Sequence, residues 1–587
     1  MRKKHLVQAV LLAMAVTAGT VGGTAFAADN GLYVDQVGYL TDHDKVAMVR
    51  DTGADTFSLV DAATGKTVYQ GKLSAPRKDA NSEETLRTAD FTGFEKAGKY
   101  RLVVGGNSSY PFAIGDNVYA STSTRVLRSY TLSRSGTPID DSAVTGLKLK
   151  GGHMQDREAS VYFTDKVSKK GDKVNVLGGW YDAGDYGKYT TTGSLAASEL
   201  MLAYEANRSR FTVGQLQFPK GTESAEHLPD VLSEVKYELN FLKEMQRKDG
   251  STFHKVAGAV WPGFDKSPDT DTQPRFLYST CTASTAMYGA SLAIGMRVFG
   301  PFEPAYAAKL KADADKVWNY LSKEKKSIYR VDEGQESGSG PYNDTDDSQE
   351  RLWFAAEMFR TTGGAKYENY LKAHAAEFGQ KPSFFTWDNT LGLAQYAYLK
   401  ADGGDAKLKA KVKQAFLSYA DEIAGKIRGD GFHCALAANE YTWASTKNAM
   451  TQADMLLMAN EFAPKKEYVE GALAQVHYML GRNALGKSFL TGVGADYPQH
   501  PHNRIHESTG AYVPGLLVGG PNAVSGGDPD QTAYLKSKHV PTAKSYLDVL
   551  TSWSTNEYAI DYTGAAAYAL SHFAKPAPLT SEQLRKD

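Results

Sequence analysis

The chain has 587 residues, 42% of them hydrophobic and 23% charged, a globular composition that excludes a disordered, collagenous or coiled-coil protein. Lys and Arg (66) balance Asp and Glu (67) to a formal net charge of -1, and no long basic run stands out, so nucleic acid is not an expected partner. The 34 Tyr, 24 Phe and 7 Trp suit either a large core or the flat apolar faces of sugars.

Arg2, Lys3 and Lys4, the apolar run Leu6 to Ala18 and the small-x-small triplet Ala25-Phe26-Ala27 predict a secretory signal over residues 1–27. No later stretch reaches the ~18 consecutive apolar residues of a membrane span. The expectation is a secreted protein, extracellular or periplasmic, free of the membrane once the signal is cleaved. Cys281 and Cys434 are the two cysteines; their pairing is open, and they offer no zinc-type spacing. Residues 30–114 predict a small all-β sandwich of Ig-like size, with strands at Val46–Val49, Phe57–Val60 and Tyr100–Val104 separated by turn signals such as Asp51-Thr52-Gly53. After Gly115 the apolar spacing turns helical, as in Val235, Leu239, Leu242, in Leu310, Ala314, Val317, Leu321, and in Tyr468, Ala472, Val476, Met479 before Gly481. Some twelve helices are predicted, with long Gly- and Pro-rich loops at 171–188, 250–280 and 481–545.

Three segments carry chemistry. Gly178-Gly179-Trp180-Tyr181-Asp182-Ala183-Gly184-Asp185-Tyr186-Gly187 sets two carboxylates three apart among glycines, which let the backbone bend until both face one water or ion. Asp496-Tyr497-Pro498-Gln499-His500-Pro501-His502-Asn503-Arg504 offers His502 and Arg504 as donors to hydroxyls. Asp548 and Trp553 precede Asn556-Glu557-Tyr558, with Glu557 expected at the start of the last helix, where apolar neighbours would keep it protonated. A dipole complement to that helix is the bland alternative for Glu557, and a solvated turn for Asp182 and Asp185. Carboxylates gathered from distant parts of a chain, among aromatics, point to glycoside hydrolysis.

These segments, in this order, together with Leu480-Gly481-Arg482-Asn483, His254-Lys255-Val256 and the opening Val34-Asp35-Gln36-Val37-Gly38-Tyr39, resemble the family 9 glycoside hydrolases, largely cellulases, with an N-terminal Ig-like module. The resemblance implies a mainly α protein: an (α/α)6 barrel of twelve helices over 117–575, preceded by the all-β Ig-like sandwich. It implies an inverting enzyme on β-1,4-glucans, with Asp185 as general base, Asp182 helping to orient the water and Glu557 as general acid. Inversion needs room for a water, with the two carboxyls roughly 6.5–9.5 Å apart. Asp548, His502 and Arg504 would bond the sugar, and Trp443 would be a platform for it; Trp180, Tyr186, Trp261 and Trp387 are further candidates for binding it, and for each of these aromatics plain core packing is the alternative. No cofactor is required by that chemistry. A structural calcium is a candidate on Asp346, Asp347, Glu350 and Asp388, within and beyond the acidic run 343–350. The partner is a β-glucan or oligosaccharide, and a monomer is expected.

Several positions depart from the family pattern. Thr563 and Gly564 stand where Asn and a small residue are usual, and Asp496 and Asn503 are further replacements. Gly151-Gly152-His153-Met154 has no cysteine where relatives bind zinc, so zinc is expected to be lost. An exo-acting cellodextrinase or glucosaminidase, a binding protein that has lost catalysis, and a polysaccharide lyase are the alternatives.

Overall fold

The computed structural model describes residues 30–222, 225–329 and 337–585; the expected signal segment 1–27 lies outside them. Residues 32–114 fold into two packed sheets. One has the order Leu32–Tyr33, Val46–Arg50, Thr85–Asp90, Arg77–Lys78; the other runs Gly38–Tyr39, Phe112–Ile114, Gly98–Val104, Thr56–Asp61, Thr67–Lys72. In Thr56–Asp61, Phe57 and Leu59 point inward, and Leu59 pairs with Leu102, so alternate positions build one core with Tyr39, Phe91 and Phe112.

Twelve helices then alternate between an outer and an inner ring. The outer ones are α1 (Ala120–Leu132), α3 (Asp230–Glu244), α5 (Pro304–Leu321), α7 (Ala365–Ala373), α9 (Ala406–Gly429) and α11 (Lys466–Met479). The inner ones are α2 (Thr190–Ala206), α4 (Thr282–Phe299), α6 (Ser348–Thr362), α8 (Leu391–Lys400), α10 (Ser445–Phe462) and α12 (Ile560–Phe573). Composition separates the rings. α5 buries Leu310, Ala314, Val317 and Leu321 along one stripe, whereas α4 is buried almost all round and rich in Ala, Ser and Gly. Small residues let inner helices approach closely: a Cβ on Gly289 would meet the Phe354 ring of α6 at 2.8 Å. Local signals set the ends, with Pro304 at the first turn of α5, the Asp405 side chain accepting from Leu408 N at α9, and Gly363 at φ 65° closing α6.

The connections are less loop-like than the sequence predicts. Residues 250–280 hold an antiparallel hairpin, Phe253–Gly258 with Arg275–Thr280, in a five-stranded sheet that also takes in Lys188–Tyr189. Cys281 and Cys434 are both buried free thiols. No helix among the described residues is long and apolar enough to cross a membrane.

The sandwich is seated on the barrel by polar side chains. Gln36 Oε1 accepts from Ala495 N and Asp496 N, both at 2.7 Å, and its Nε2 donates to the Gly486 carbonyl at 2.7 Å. Gly481, expected only as a helix cap, is also where the two parts touch: a Cβ there would lie 2.9 Å from the Val34 carbonyl. Asp35, fully buried, lies 2.8 Å from His477 Nδ1 of α11 and 3.0 Å from the Tyr119 hydroxyl. Burial pushes the Asp35 carboxyl up to about 8 and holds His477 well below its ordinary value, so it disfavours charge on both partners.

Candidate active site

A cleft of about 1300 Å³ opens at one end of the barrel. Its floor is built where four distant segments pair as extended chain. Ala183 bridges Ala559 antiparallel, His502 bridges Glu557 in parallel, and Val518 bridges Tyr558 antiparallel. Ile560 N donates to the Asp182 carbonyl at 2.8 Å, and His502 N to the Asn556 carbonyl at 2.9 Å. Segment 557–559 is thus the central strand, with the base loop and the histidine segment end to end along one edge and segment 517–519 along the other, where Gly519 N donates to the Glu557 carbonyl at 2.8 Å. Glu557 is not at the start of a helix: it is extended, between the short helix Trp553–Asn556 and α12, so helix-dipole complementation does not account for it.

The base loop feeds directly into α2. Tyr186, at φ 65°, holds a left-handed turn after Asp185. Asp185 Oδ1 accepts from Gly187 N at 2.8 Å and Oδ2 from Gly340 N at 3.2 Å. Asp182 accepts at Oδ2 from the Tyr342 hydroxyl at 2.8 Å and at Oδ1 from Thr192 of α2. Burial, then the charge of Asp561, pushes Asp182 well above the carboxylate range. Asp561 itself pairs with Lys447 of α10, whose side chain reaches the cleft.

Glu557 Oε1 accepts from Gly184 N at 3.2 Å. Burial and the neighbouring charge of Asp185 hold its carboxyl well above the usual range, against the pull of Arg504. His502 Nδ1 lies 2.6 Å from the Leu550 carbonyl, which can only accept, so the proton sits on Nδ1 and Nε2 faces Glu557 at 3.8 Å. Burial lowers His502 to about 4, leaving a neutral ring. Asn503 caps the short helix Arg504–Thr509 by accepting from Ile505 N and His506 N, which fixes Arg504 at its first position. Arg504 donates to the Gly184 carbonyl at 2.7 Å and the Pro262 carbonyl at 2.8 Å, under the Phe264 ring.

Asp182, Asp185, Glu557, His502, Arg504 and Trp443 therefore share one cleft, and Trp261, Trp387 and Trp553 line it too. Trp443 and Trp261 are 38% and 55% exposed, as a binding platform requires. Other expectations are corrected. Trp180 is 1% exposed, packs on Tyr130 and donates its indole N–H to Glu234 at 2.7 Å; it is core. Tyr186 is buried against Tyr181 and His153, with its hydroxyl on the Lys266 carbonyl. Asp548 does not line the cleft; it accepts from Gln499 N, His500 N and Asn556 Nδ2 and ties the histidine segment to the acid segment. His153 sits between the Tyr181 hydroxyl and Asp271.

The four-carboxylate calcium set does not converge: among the described residues no three His, Cys, Asp or Glu side chains cluster as a metal site. Asp347 pairs with Arg351, and Asp388 accepts from the Thr386 hydroxyl. A different pair stands out. Asp344 Oδ2, Glu350 Oε2 and Asn343 Oδ1 are buried without hydrogen-bond partners; burial pushes both carboxyls up, joined by the charge of Asp388 at Asp344 and by the charges of Asp344 and Asp388 at Glu350. Such hard oxygens suit a calcium ion; of the expected set Glu350 is in this group and Asp388 acts on both of its carboxyls, while Asp344 and Asn343 stand outside that set.

Residues that sequence reasoning left without a role include Tyr342, Thr192, Gly340 and Lys447. Gly564 leaves room for the buried Glu199 of α2: a Cβ there would lie 2.0 Å from Glu199 Oε2, so that side chain would have to move. Thr563 Oγ1 accepts from Leu517 N at 3.3 Å.

A helical barrel whose cleft sets one anchored carboxylate against one carboxyl kept protonated, between exposed tryptophans, defines a glycoside-hydrolase class of protein. The model of "Glycosyl hydrolase family 9" matches residues 119–570, and that of the "Cellulase N-terminal ig-like domain" matches 27–109. The chain belongs to glycosyl hydrolase family 9. It is 30% identical to Endoglucanase D of Acetivibrio thermocellus over 567 residues, 95% of this chain and 82% of that one. It is also 30% identical to a cellodextrinase of Butyrivibrio fibrisolvens, covering 92% of this chain and 98% of the other. The crystal structure of the family 9 endoglucanase J30 superposes with a TM-score of 0.88 at 43% identity, over 91% of this chain and 99% of that one.

Proposed function

We propose that the protein is a secreted, inverting hydrolase of β-1,4-glucosidic bonds in cellulose-type glucans or cello-oligosaccharides. Glu557 protonates the leaving oxygen, and Asp185 takes the proton of a water that attacks the anomeric carbon from the opposite face. The observation that carries this reading is the contrast between the two carboxyls. Glu557 is buried beside the charge of Asp185, which holds its carboxyl well above the usual range, while Asp185 is anchored by two backbone N–H bonds. Asp182 braces the loop and helps to orient the water. His502 and Arg504 line the same wall, where Nε2 of the neutral imidazole is placed to accept from a sugar hydroxyl. Trp261, Trp387 and Trp443 offer flat faces for successive glucose rings. A β-glucan is the substrate class that the family implies, and the names of the two relatives quoted above support glucan chains or short cellodextrins.

Cellohexaose hydrolysis followed by proton NMR tests this reading. The first-formed anomer should be α, and Glu557→Gln should lose at least about 10³-fold in kcat while still binding cellotetraose. A β product, or near-normal turnover in that variant, refutes it. A calcium ion bound by Asp344 and Glu350, with Asn343, is part of the proposal as a structural element. Export by cleavage after Ala27 is a further part, checked by the N-terminal mass of protein recovered outside the cytoplasm.

A further inference from the structure

The His254-Lys255 motif has no part in the chemistry above, yet both side chains end on the segment that holds the base. They lie on the strand Phe253–Gly258. His254 Nε2 donates to the Pro341 carbonyl at 2.7 Å. Lys255 Nζ donates to Ser337 Oγ at 2.7 Å, to the Ser339 carbonyl at 3.2 Å and to the Gly340 carbonyl at 2.7 Å, and the Tyr189 hydroxyl adds a second bond to that carbonyl. From its other side the same segment reaches the cleft. Gly340 N donates to Asp185, and Tyr342, two residues on, donates to Asp182. Residues 339–342 form a plate clamped between strand and base loop.

The ammonium of Lys255 is unusual in its company. It is buried beside the rings of Tyr189, Tyr278 and Tyr329, with centroids at 5.6, 5.6 and 5.2 Å. Among the described residues no carboxylate forms an ion pair with it. Burial lowers it to about 7, and the charge that pushes the other way is Asp185. A buried cation without a close counter-ion is costly and persists where a more distant charge or a functional need offsets the cost. The other ionisable groups around Asp185 are Asp182 on its own loop, Glu557 on the acid segment, His502 and Arg504 on the histidine segment, and Tyr189 and Tyr342. Of these only Arg504 is cationic; it donates to the Gly184 and Pro262 carbonyls, and its Nη1 lies 3.5 Å from His502 Nε2.

We propose that Lys255 is the positioning residue of the general base: through the Gly340 plate it fixes the direction of the Asp185 carboxylate, and its cation favours the anionic base that takes the proton from water. The inference rests on the assignment of Asp185 as base. It gives the motif a physical reason that packing alone does not, because a neutral side chain would fill the same space without the charge.

The test uses the full mature enzyme with Lys255→Gln, Lys255→Arg and His254→Gln, measuring kcat, KM and the pH profile of kcat/KM on cellopentaose, with circular dichroism and Tm as controls. Lys255→Gln should lower kcat by about 10-fold or more with KM within about threefold. It should also move the acid limb upward by about 0.5–1 pH unit, since the base loses a neighbouring cation. His254→Gln, which removes no charge, should lower kcat without moving the limb, and Lys255→Arg should keep the wild-type limb. An unmoved limb in folded Lys255→Gln, or the same movement in His254→Gln, overturns the proposal. Should Lys255→Gln fail to fold, a displaced limb in Lys255→Arg overturns it instead. A wild-type enzyme inactive on the oligosaccharide would mean that the assignment of the base has failed. An active one with limbs indifferent to Lys255 would mean that this inference alone has failed.

Discussion

Gly184 N–H donates to Glu557 Oε1 at 3.2 Å, so the loop that carries one carboxylate also holds the other, 373 residues away in sequence. The pairing of Ala183 with Ala559 extends the same contact along the backbone. Relative placement of the two groups is thus a property of paired main chain, which is stiffer than side-chain packing.

Gly184→Ala tests that stiffness. A Cβ at this position would lie 2.3 Å from the His502 carbonyl and 3.2 Å from Glu557 Oε1, so the strands must part. The expected result is a loss of about 1–3 kcal/mol in stability from overpacking and of about 10–100-fold in kcat from misplaced groups. Chemical denaturation and steady-state kinetics check both.

The pH profile of kcat/KM should be bell-shaped, with its alkaline limb reporting loss of the proton that Glu557 must donate. Because burial and Asp185 raise Glu557, that limb should stand above the ordinary carboxyl range. Arg504 opposes the rise; removing its charge in Arg504→Met disfavours the Glu557 anion further, so the limb should move to higher pH. A limb that moves downward contradicts the assignment.

Asp35 gives a stability signature away from the cleft. Its folded pKa, about 8, lies above the ordinary carboxyl value of ~4, so its contribution is intact below that value, is lost as pH rises through the folded value and levels off beyond it. Asp35→Asn keeps the acceptor for Val37 N and Gly38 N and removes the ionisation. The variant should differ little from the parent at pH 4 and exceed it at pH 9 by on the order of 1–3 kcal/mol. Tm measured at both pH values decides.

Calcium should raise Tm and EDTA lower it, if an ion neutralises Asp344 and Glu350. Glu350→Gln relieves the repulsion by covalent means, so it should cut the response to calcium to less than about half in Tm terms. A response that is unchanged in the variant places the ion elsewhere.

Much of this was legible in the chain before the fold. Alternation in Phe57 and Leu59 and the stripe of Leu310, Ala314, Val317 and Leu321 each marked the face that is buried, because solvent on the other face leaves a periodic trace. The three chemistry-bearing segments were legible through their order along the chain, since taken singly a Gly- and Asp-rich loop such as 178–187 reads as a solvated turn. Trp180 and Tyr186 were misread for a physical reason: in a glycine-rich loop no periodicity tells inward from outward, and large rings serve core and cleft alike. Asp548 was misread because two of its partners are the backbone N–H groups of Gln499 and His500, which have no sequence signature. Tyr342 and Gly340 were invisible, since what recruits them is a strand more than eighty residues earlier in the chain.

Gln36 carries a consequence for biosynthesis. Its partners at Gly486, Ala495 and Asp496 follow it by 450 to 460 residues. At typical elongation rates of ~5–20 residues per second, the sandwich leaves the ribosome about 20–90 s before the surface that Gln36 grips exists. During that interval the N-terminal strands must stand alone, their carboxamide latch solvated, so the module's own small core decides whether the nascent chain survives to be clamped.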